Sequence, residues 1–303
     1  MTNKVTIPIS LDLDEELAWC VGFYLAEGDK TRDYIGVSNC NVDLIKKFKV
    51  IMEEIFKIDK NLWRVHVKTS NKRLDDVRAS WKASLDLDVI NVLYNGLARE
   101  DNIELRLNSR YFAEFFNRLL EEFSRRILKI KSLSLSFLEG YEVGDGSVIR
   151  RKGCLYGIAF TTKSKVNKDL IVKIFEVHYG KKPRVRVNKG CFEIEVCGVN
   201  LMTEFIIDGH FSSHKNKRRD LINSYLKKEY TRSHVRYWNA LGSGPKGIFD
   251  IAESVNRSHW SVREALSKDF KLGLVNVLNK KPKIYELSGK GKKLLDILGG
   301  ANV

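Results

Sequence analysis

Two glycine-bearing segments of this chain repeat one another at long range, and an internal repeat constrains a fold more than any local feature does. LAWCVGFYLAEGDK (17–30) and LSFLEGYEVGDGSV (135–148) each place small residues four apart on an apolar helical stretch, Gly22 and Ala26 in one, Gly140 and Gly144 in the other. An acid follows each second small residue, Glu27 and Asp145, and a glycine follows each acid. The sequel repeats as well. YIGVSN reads as a strand and NVDLIKKFKVIMEEIF as a helix with Leu44, Phe48, Ile51 and Ile55 on one face; GCLYGIAFTT and KVNKDLIVKIFEVHYG, with Leu170, Ile171, Ile174 and Val177, give the same order.

Farther along, WRVHVK (63–68) and PRVRVN (183–188) alternate strictly. The pattern predicts Val65, Val67, Val185 and Val187 against a core, with Arg64, His66, Lys68, Arg184, Arg186 and Asn188 facing outward. A sheet that is apolar behind and basic in front can present donors to a DNA groove; a solvated sheet face is the plainer alternative. Residues 71–101 have no counterpart in the second half. VRASWKAS (77–84), with Arg78 and Lys82 on its polar side, and IELRLNS (103–109), with Arg106, both alternate, which leaves open which of them is the fourth strand of the first half. SRYFAEFFNRLLEEF (109–123) reads as an amphipathic helix.

Charge narrows the partner. The chain carries 53 Lys and Arg against 38 Asp and Glu, a net charge of +15, so a polyanion is the natural ligand. The absence of a long apolar run, signal peptide or lipidation motif predicts a protein that stays in the cytoplasm and off the membrane. Five cysteines without a C-x-x-C pair fit neither a disulfide framework nor a zinc ribbon. His210 and His214 would suit a metal only on a helix, and DGHFSSH reads as a loop. From about residue 212 the chain turns basic and polar, suited to a linker or a phosphate-tracking helix. GIFDIAESVN, SHWSVREALSKDFKLG and LVNVLNKKPKIYELSG then give helix, turn, helix and a hairpin with a basic tip. That order reads as a winged helix-turn-helix with Ser258 as N-cap, and with Arg257, His259, Arg263 and Lys281 toward DNA; Trp260 fits either the core or the surface.

Helices that face each other through small residues approach more closely than leucine-faced ones. The acids at their ends then meet, and a pair of carboxylates suits Mg²⁺ completed by water and substrate phosphate, the arrangement of metal-assisted nucleases. Two acids that merely end their helices would oppose the helix dipole, so that reading requires some other reason for their presence.

The two segments, CVGFYLAEG and FLEGYEVGDG, resemble the paired motifs of the LAGLIDADG homing endonucleases in the single-chain, two-repeat form found in archaea, over residues 10 to about 210. The resemblance implies an α+β fold with an αββαββα order in each half, antiparallel sheets forming a saddle over double-stranded DNA, and cleavage across the minor groove leaving short 3′ overhangs. It implies metal-binding acids at Glu27 and Asp145, backbone carbonyls lent by Ala26 and Gly144, and basic residues near the acids at Lys30 and Lys163, with Mn²⁺ or Ca²⁺ able to replace Mg²⁺ in binding. Cys40 stands where the first half would match Lys163; Glu27 replaces the commoner Asp, and Glu139 and Glu142 add charge beside the second motif. The expected organisation is a first repeat at 10–126, a second at 127–212, a basic linker at 213–230 and a winged helix at 231–303. No splicing nucleophile is evident, so the expected form is a free-standing, intron-encoded, monomeric enzyme. A non-cutting DNA-binding regulator and an RNA maturase on the same scaffold are the alternatives.

Overall fold

The computed structural model describes residues 11–29, 31, 33–87 and 90–299. The protein is α+β. It divides into two compact units, Met1–Gly146 with Phe160–Ile194 and Phe211–His214, and Ser147–Ala159 with Glu195–His210 and Lys215–Val303.

The first unit opens with α1 (Glu15–Glu27), β1 (Ile35–Asn39), α2 (Val42–Phe56), β2 (Trp63–Thr69), α3 (Leu74–Leu85), β3 (Ile90–Tyr94), β4 (Asn102–Leu107) and α4 (Arg110–Arg126). Helix α1 is started by Asp14, whose carboxylate accepts from Leu17 N at 2.8 Å, and by Glu15 and Glu16 in its first turn, which favour the positive helix end. The sheet runs β1-β4-β2-β3. Strand β4 is antiparallel to both β1 and β2, which identifies IELRLNS as a strand of the repeat. Trp63, Val65, Val67, Ile103, Leu105 and Leu107 are buried, so the expected apolar face of β2 is present. Phe23, Phe48, Phe56, Phe112 and Phe116 supply the aromatic core from α1, α2 and α4.

VRASWKAS is helical, not a strand. Val77, Trp81 and Leu85 lie four apart, a spacing that period two and the helix period both satisfy, while Asp75 and Asp76 in the first turn of α3 suit only the helix. Arg78 and Lys82 therefore lie on a helix, Arg78 paired with Asp75 at 2.7 Å. The inserted segment also contributes β3, which pairs with β2 in parallel.

The second repeat consists of α5 (Lys131–Asp145), β5 (Gly146–Arg151), β6 (Cys154–Thr162), α6 (Lys165–Tyr179), β7 (Arg184–Asn188), β8 (Cys191–Cys197) and α7 (Val199–Ile207), the αββαββα order, with strands arranged β5-β6-β8-β7. Phe137, Tyr141, Phe160 and Phe175 form its aromatic core. The expected apolar face of β7 is absent. Val187 is 72% exposed and Val185 39%, so neither is packed into a core, unlike Ile90 and Val92 of β3, which also ends its sheet. Val177 is likewise exposed, and Phe175 takes the buried place on α6.

In the second unit the stretch 213–230, expected as a linker, contains α8 (Lys215–Leu226), with Leu221, Ile222 and Tyr225 buried. Arg218 donates to the carbonyls of Ile206 at 2.9 Å and His210 at 2.8 Å, binding oxygens at the end of α7 and just beyond it. The winged helix is built from α9 (Glu229–Gly242), β9 (Lys246–Gly247), α10 (Ile248–Ser254), α11 (His259–Lys271), β10 (Val275–Lys280), β11 (Lys283–Leu287) and α12 (Gly289–Gly299), with sheet order β10-β11-β9. Asn256 turns the chain at φ 50° and Ser258 caps α11 by accepting from Ser261 N at 3.2 Å. Helix α11 is tied to α9 by Asp269, fully buried, whose two oxygens meet His234 Nδ1 at 2.7 Å and Trp238 Nε1 at 2.9 Å. Among the described residues no helix is long and apolar enough to cross a membrane.

Two stability predictions follow from these contacts. A Cβ on Gly140 would stand 2.0 Å from the Trp19 carbonyl oxygen and one on Gly22 2.1 Å from that of Phe137, so Gly22→Ala or Gly140→Ala must push two backbones apart. Urea melts should show a loss of about 3 kcal/mol for either, the upper end for overpacking, and little change for Gly289→Ala, where a Cβ meets nothing. Asp269→Ala removes a buried acceptor from both His234 and Trp238, and should lower the stability of the winged helix by roughly 3–5 kcal/mol in the same measurement.

Candidate metal centre

The ends of α1 and α5 carry the paired acids to one place. At the crossing the two helices touch backbone to backbone through Gly22 and Gly140. One turn later a Cβ on Gly144 would lie 2.8 Å from Ala26 Cβ, 2.7 Å from Glu27 Cγ and 3.0 Å from Glu27 Oε1. Glu27 thus lies over the residue that precedes Asp145. The Tyr141 hydroxyl reports the same proximity: burial pushes its pKa up to about 12, and the charges of Asp145 and Glu27 both raise it, while hydrogen bonding with Thr162 and Asn167 acts the other way. Neither helix has a basic residue in its last turn, so the negative helix ends and the two carboxylates add to one another.

The repeat extends to residues that composition alone does not single out. Asn39 closes β1 and Thr162 closes β6; Asn39 Oδ1 accepts from Asn41 N at 2.8 Å and Thr162 Oγ1 from Ser164 N at 3.1 Å, the same turn in each half. Asn39 goes further, its Nδ2 donating to Glu27 Oε1 at 2.8 Å. Thr162 instead bonds with Tyr141, whose hydroxyl also donates to the Thr161 carbonyl at 3.2 Å. The signal for these residues was their equal place in the two halves, two positions before the helix N-caps Asn41 and Ser164.

Glu139 and Glu142 serve the turn at 211–213. Ser212 Oγ and Ser213 N donate to Glu139 at 2.7 and 2.8 Å, and Phe211 N donates to the fully buried Glu142. Lys47 lies 4.0 Å from Glu139 and over the Trp19 ring, so this charge is matched within the unit. The DGHFSSH segment is a turn, and the buried His210 ring stacks on Phe205 at 3.4 Å.

The donor set fits a hard divalent cation. Two carboxylates from separate helices, one of them held by an amide, suit Mg²⁺, which takes one or two carboxylates and leaves its other positions to water and phosphate. Among the described residues no group of three or more His, Cys, Asp or Glu side chains is placed to hold a metal.

Of the expected basic residues, Lys30 lies outside the described residues. Lys163 is exposed directly after Thr162, and Cys40, exposed after Asn39, takes the matching place. Burial raises the Cys40 thiol pKa, as do Glu100, Glu27 and Asp101, while a hydrogen bond from Asn102 lowers it. Arg64, His66, Lys68 and Arg106 share the outer face of the first sheet. Arg64 stands directly opposite Arg106, and their repulsion is eased by Arg64 bonding to the Asn61 and Trp63 carbonyls and Arg106 pairing with Glu104 over the Tyr34 ring. Asn91 of the inserted strand joins this face, within 3.5 Å of His66, and was not anticipated. Arg184, Arg186 and Asn188 are exposed on β7, Asn188 reaching Glu193 at 3.5 Å. Arg257, His259, Arg263 and Lys281 are exposed on the winged helix, and Trp260, 65% exposed, belongs to the surface.

No protein-family model matches the chain and no curated protein matches it. Among solved structures it is similar to the N-terminal LAGLIDADG domain of DUF199/WhiA (12% identity, 66% of this chain and 83% of that one, TM-score 0.42). Full-length DUF199/WhiA from Thermatoga maritima gives 10% identity over 88% of this chain and 93% of that one, TM-score 0.44. I-DmoI in complex with DNA and Mn gives 12% identity over 67% and 99%, TM-score 0.42.

The shared field of the acids can be read from Tyr141. In chelator-containing buffer its ultraviolet titration should centre near pH 12, above the ordinary 10.0, and Asp145→Asn or Glu27→Gln should each lower it. Because folding favours the neutral phenol, its contribution to stability is complete below pH 10 and is lost as pH rises toward 12. Tyr141→Phe should flatten that part of the stability profile.

Proposed function

We propose that this chain is a metal-dependent, site-specific DNA endonuclease that cuts both strands of a long asymmetric target, on a pair of LAGLIDADG-like repeats with a winged helix adding contacts. The observation that carries the reading is the glycine-sealed helix pair that brings Glu27 and Asp145 into one neighbourhood at the negative ends of α1 and α5. Such a place disfavours an anion unless a cation comes with it, and a scissile phosphate needs that cation.

Glu27, oriented by Asn39, and Asp145 would hold the cation, with the backbone carbonyls of Ala26 and Gly144 as further oxygen donors. Mg²⁺ bound there supplies a water of lowered pKa and offsets charge on the leaving oxygen. Lys163 offers its exposed ammonium to the phosphate in the second half, a role Cys40 cannot fill in the first. Arg64, His66, Lys68 and Arg106 on the first sheet and Arg184, Arg186 and Asn188 on β7 contact the duplex, phosphates fixing register and base edges giving sequence. Arg78 and Lys82, on a helix, contribute charge.

A randomised duplex library incubated with the full chain and Mg²⁺, followed by sequencing of the new ends, tests this. Double-strand breaks at one sequence are expected from the wild type. Glu27→Gln and Asp145→Asn should each abolish double-strand cleavage while keeping duplex affinity, and cleavage by the doubly substituted chain would sink the assignment. Arg184→Ala or Arg186→Ala should cost about 1–3 kcal/mol of discrimination at each base that the guanidinium reads. Binding without cutting by the wild type would favour a regulator, and preference for folded RNA a maturase.

A further inference from the structure

The winged helix exposes large aromatic rings where a duplex reader would be expected to carry hydrogen-bond donors. Phe249 on α10 is 71% exposed and Trp260 on α11 65%. The His259 ring lies 5.5 Å from that of Phe249, tilted by 39°. Phe249 also lines an open cavity of about 610 Å³ together with Arg263 of α11 and Pro282, Lys283 and Ile284 of the wing. The acid at its rim, Asp250, accepts from Gly247 N at 3.2 Å.

Ring faces and cations together specify a ligand with a flat π-surface and a negative charge. In a stacked duplex only base edges are accessible, so an exposed ring can stack only on a base that has left the stack. A cavity of this size falls within the ordinary range for small-molecule sites and is large enough for one nucleotide. We infer that the Phe249 cavity binds an unpaired nucleotide of single-stranded nucleic acid, the base stacking on Phe249 and the phosphate meeting Arg263 and Lys283. Trp260 and His259 offer further stacking surface beside it. This site stands whether or not the chain cuts DNA.

Fluorescence anisotropy on the full chain tests the site with a short oligothymidylate, the matching oligouridylate, an abasic DNA strand of equal length and charge, and a blunt duplex. The wild type should bind a strand with bases more tightly than the abasic one; tighter binding of the DNA or of the RNA strand identifies which source the site prefers. Phe249→Ala, at an exposed position, should weaken base-bearing strands roughly tenfold and leave the abasic strand and the duplex unchanged, while Phe249→Tyr restores binding. Equal affinity for abasic and base-bearing strands, no effect of Phe249→Ala, or an equal loss on duplex would each overturn the site.

Discussion

A backbone-to-backbone crossing made possible by two glycines governs the first unit. With no Cβ at Gly22 or Gly140, the backbone of each helix rests on the carbonyl oxygens of the other, at Phe137 and Trp19. Leucine-faced helices would stand apart by the bulk of their side chains. The close crossing continues to Ala26 and Gly144, and so the next residue on each helix, an acid, is delivered to a common place. Residues far apart in the chain become one electrostatic site, with the dipoles of both helices pointing their negative ends into it.

The two halves share this frame but not its surroundings. Phe23 and Tyr141 occupy equal positions on α1 and α5, as do Asn39 and Thr162 at the ends of β1 and β6. In the first half the amide supports the acid itself; in the second the hydroxyl supports a tyrosine that lies in the field of both acids. The sheets differ too, since α3 and β3 extend the first beyond β2 while β7 ends the second with all five residues exposed. The two sheets are thus unequal in both extent and exposure.

The αββαββα order of the second half was legible because glycine spacing and period-two alternation are local signals, whereas the first half has one strand, β1, between α1 and α2 among the described residues. The inserted segment was not legible, since Val77, Ala79, Trp81 and Ala83 alternate and Val77, Trp81 and Leu85 also recur every four residues; only the acids of the first turn break the tie. The burial of β7 could not be read either. Alternation marks which residues share a face, and whether anything covers that face depends on the layer packed against the sheet. Glu139 and Glu142 looked like excess charge beside the motif because their partners, backbone and side-chain groups of 211–213, are some seventy positions away. Trp260 was undecided for the same kind of reason, since helical spacing alone does not say which side of α11 meets the core, and Val262, Ala265, Leu266 and Asp269 turn out to take it.

The burial of Asp269 shows how α11 can expose an apolar ring and still hold its place. Helix α11 is anchored from within by one carboxylate that bridges His234 and Trp238 of α9, so its outer face is free of any packing duty. Rings left on such a face are not stabilising the domain, and in water they cost free energy rather than supply it. The basic sheet faces of the first unit and the aromatic face of the winged helix therefore differ in chemistry as well as in place. The former offers hydrogen-bond donors suited to phosphates and base edges, and the latter offers π-surfaces suited to stacking.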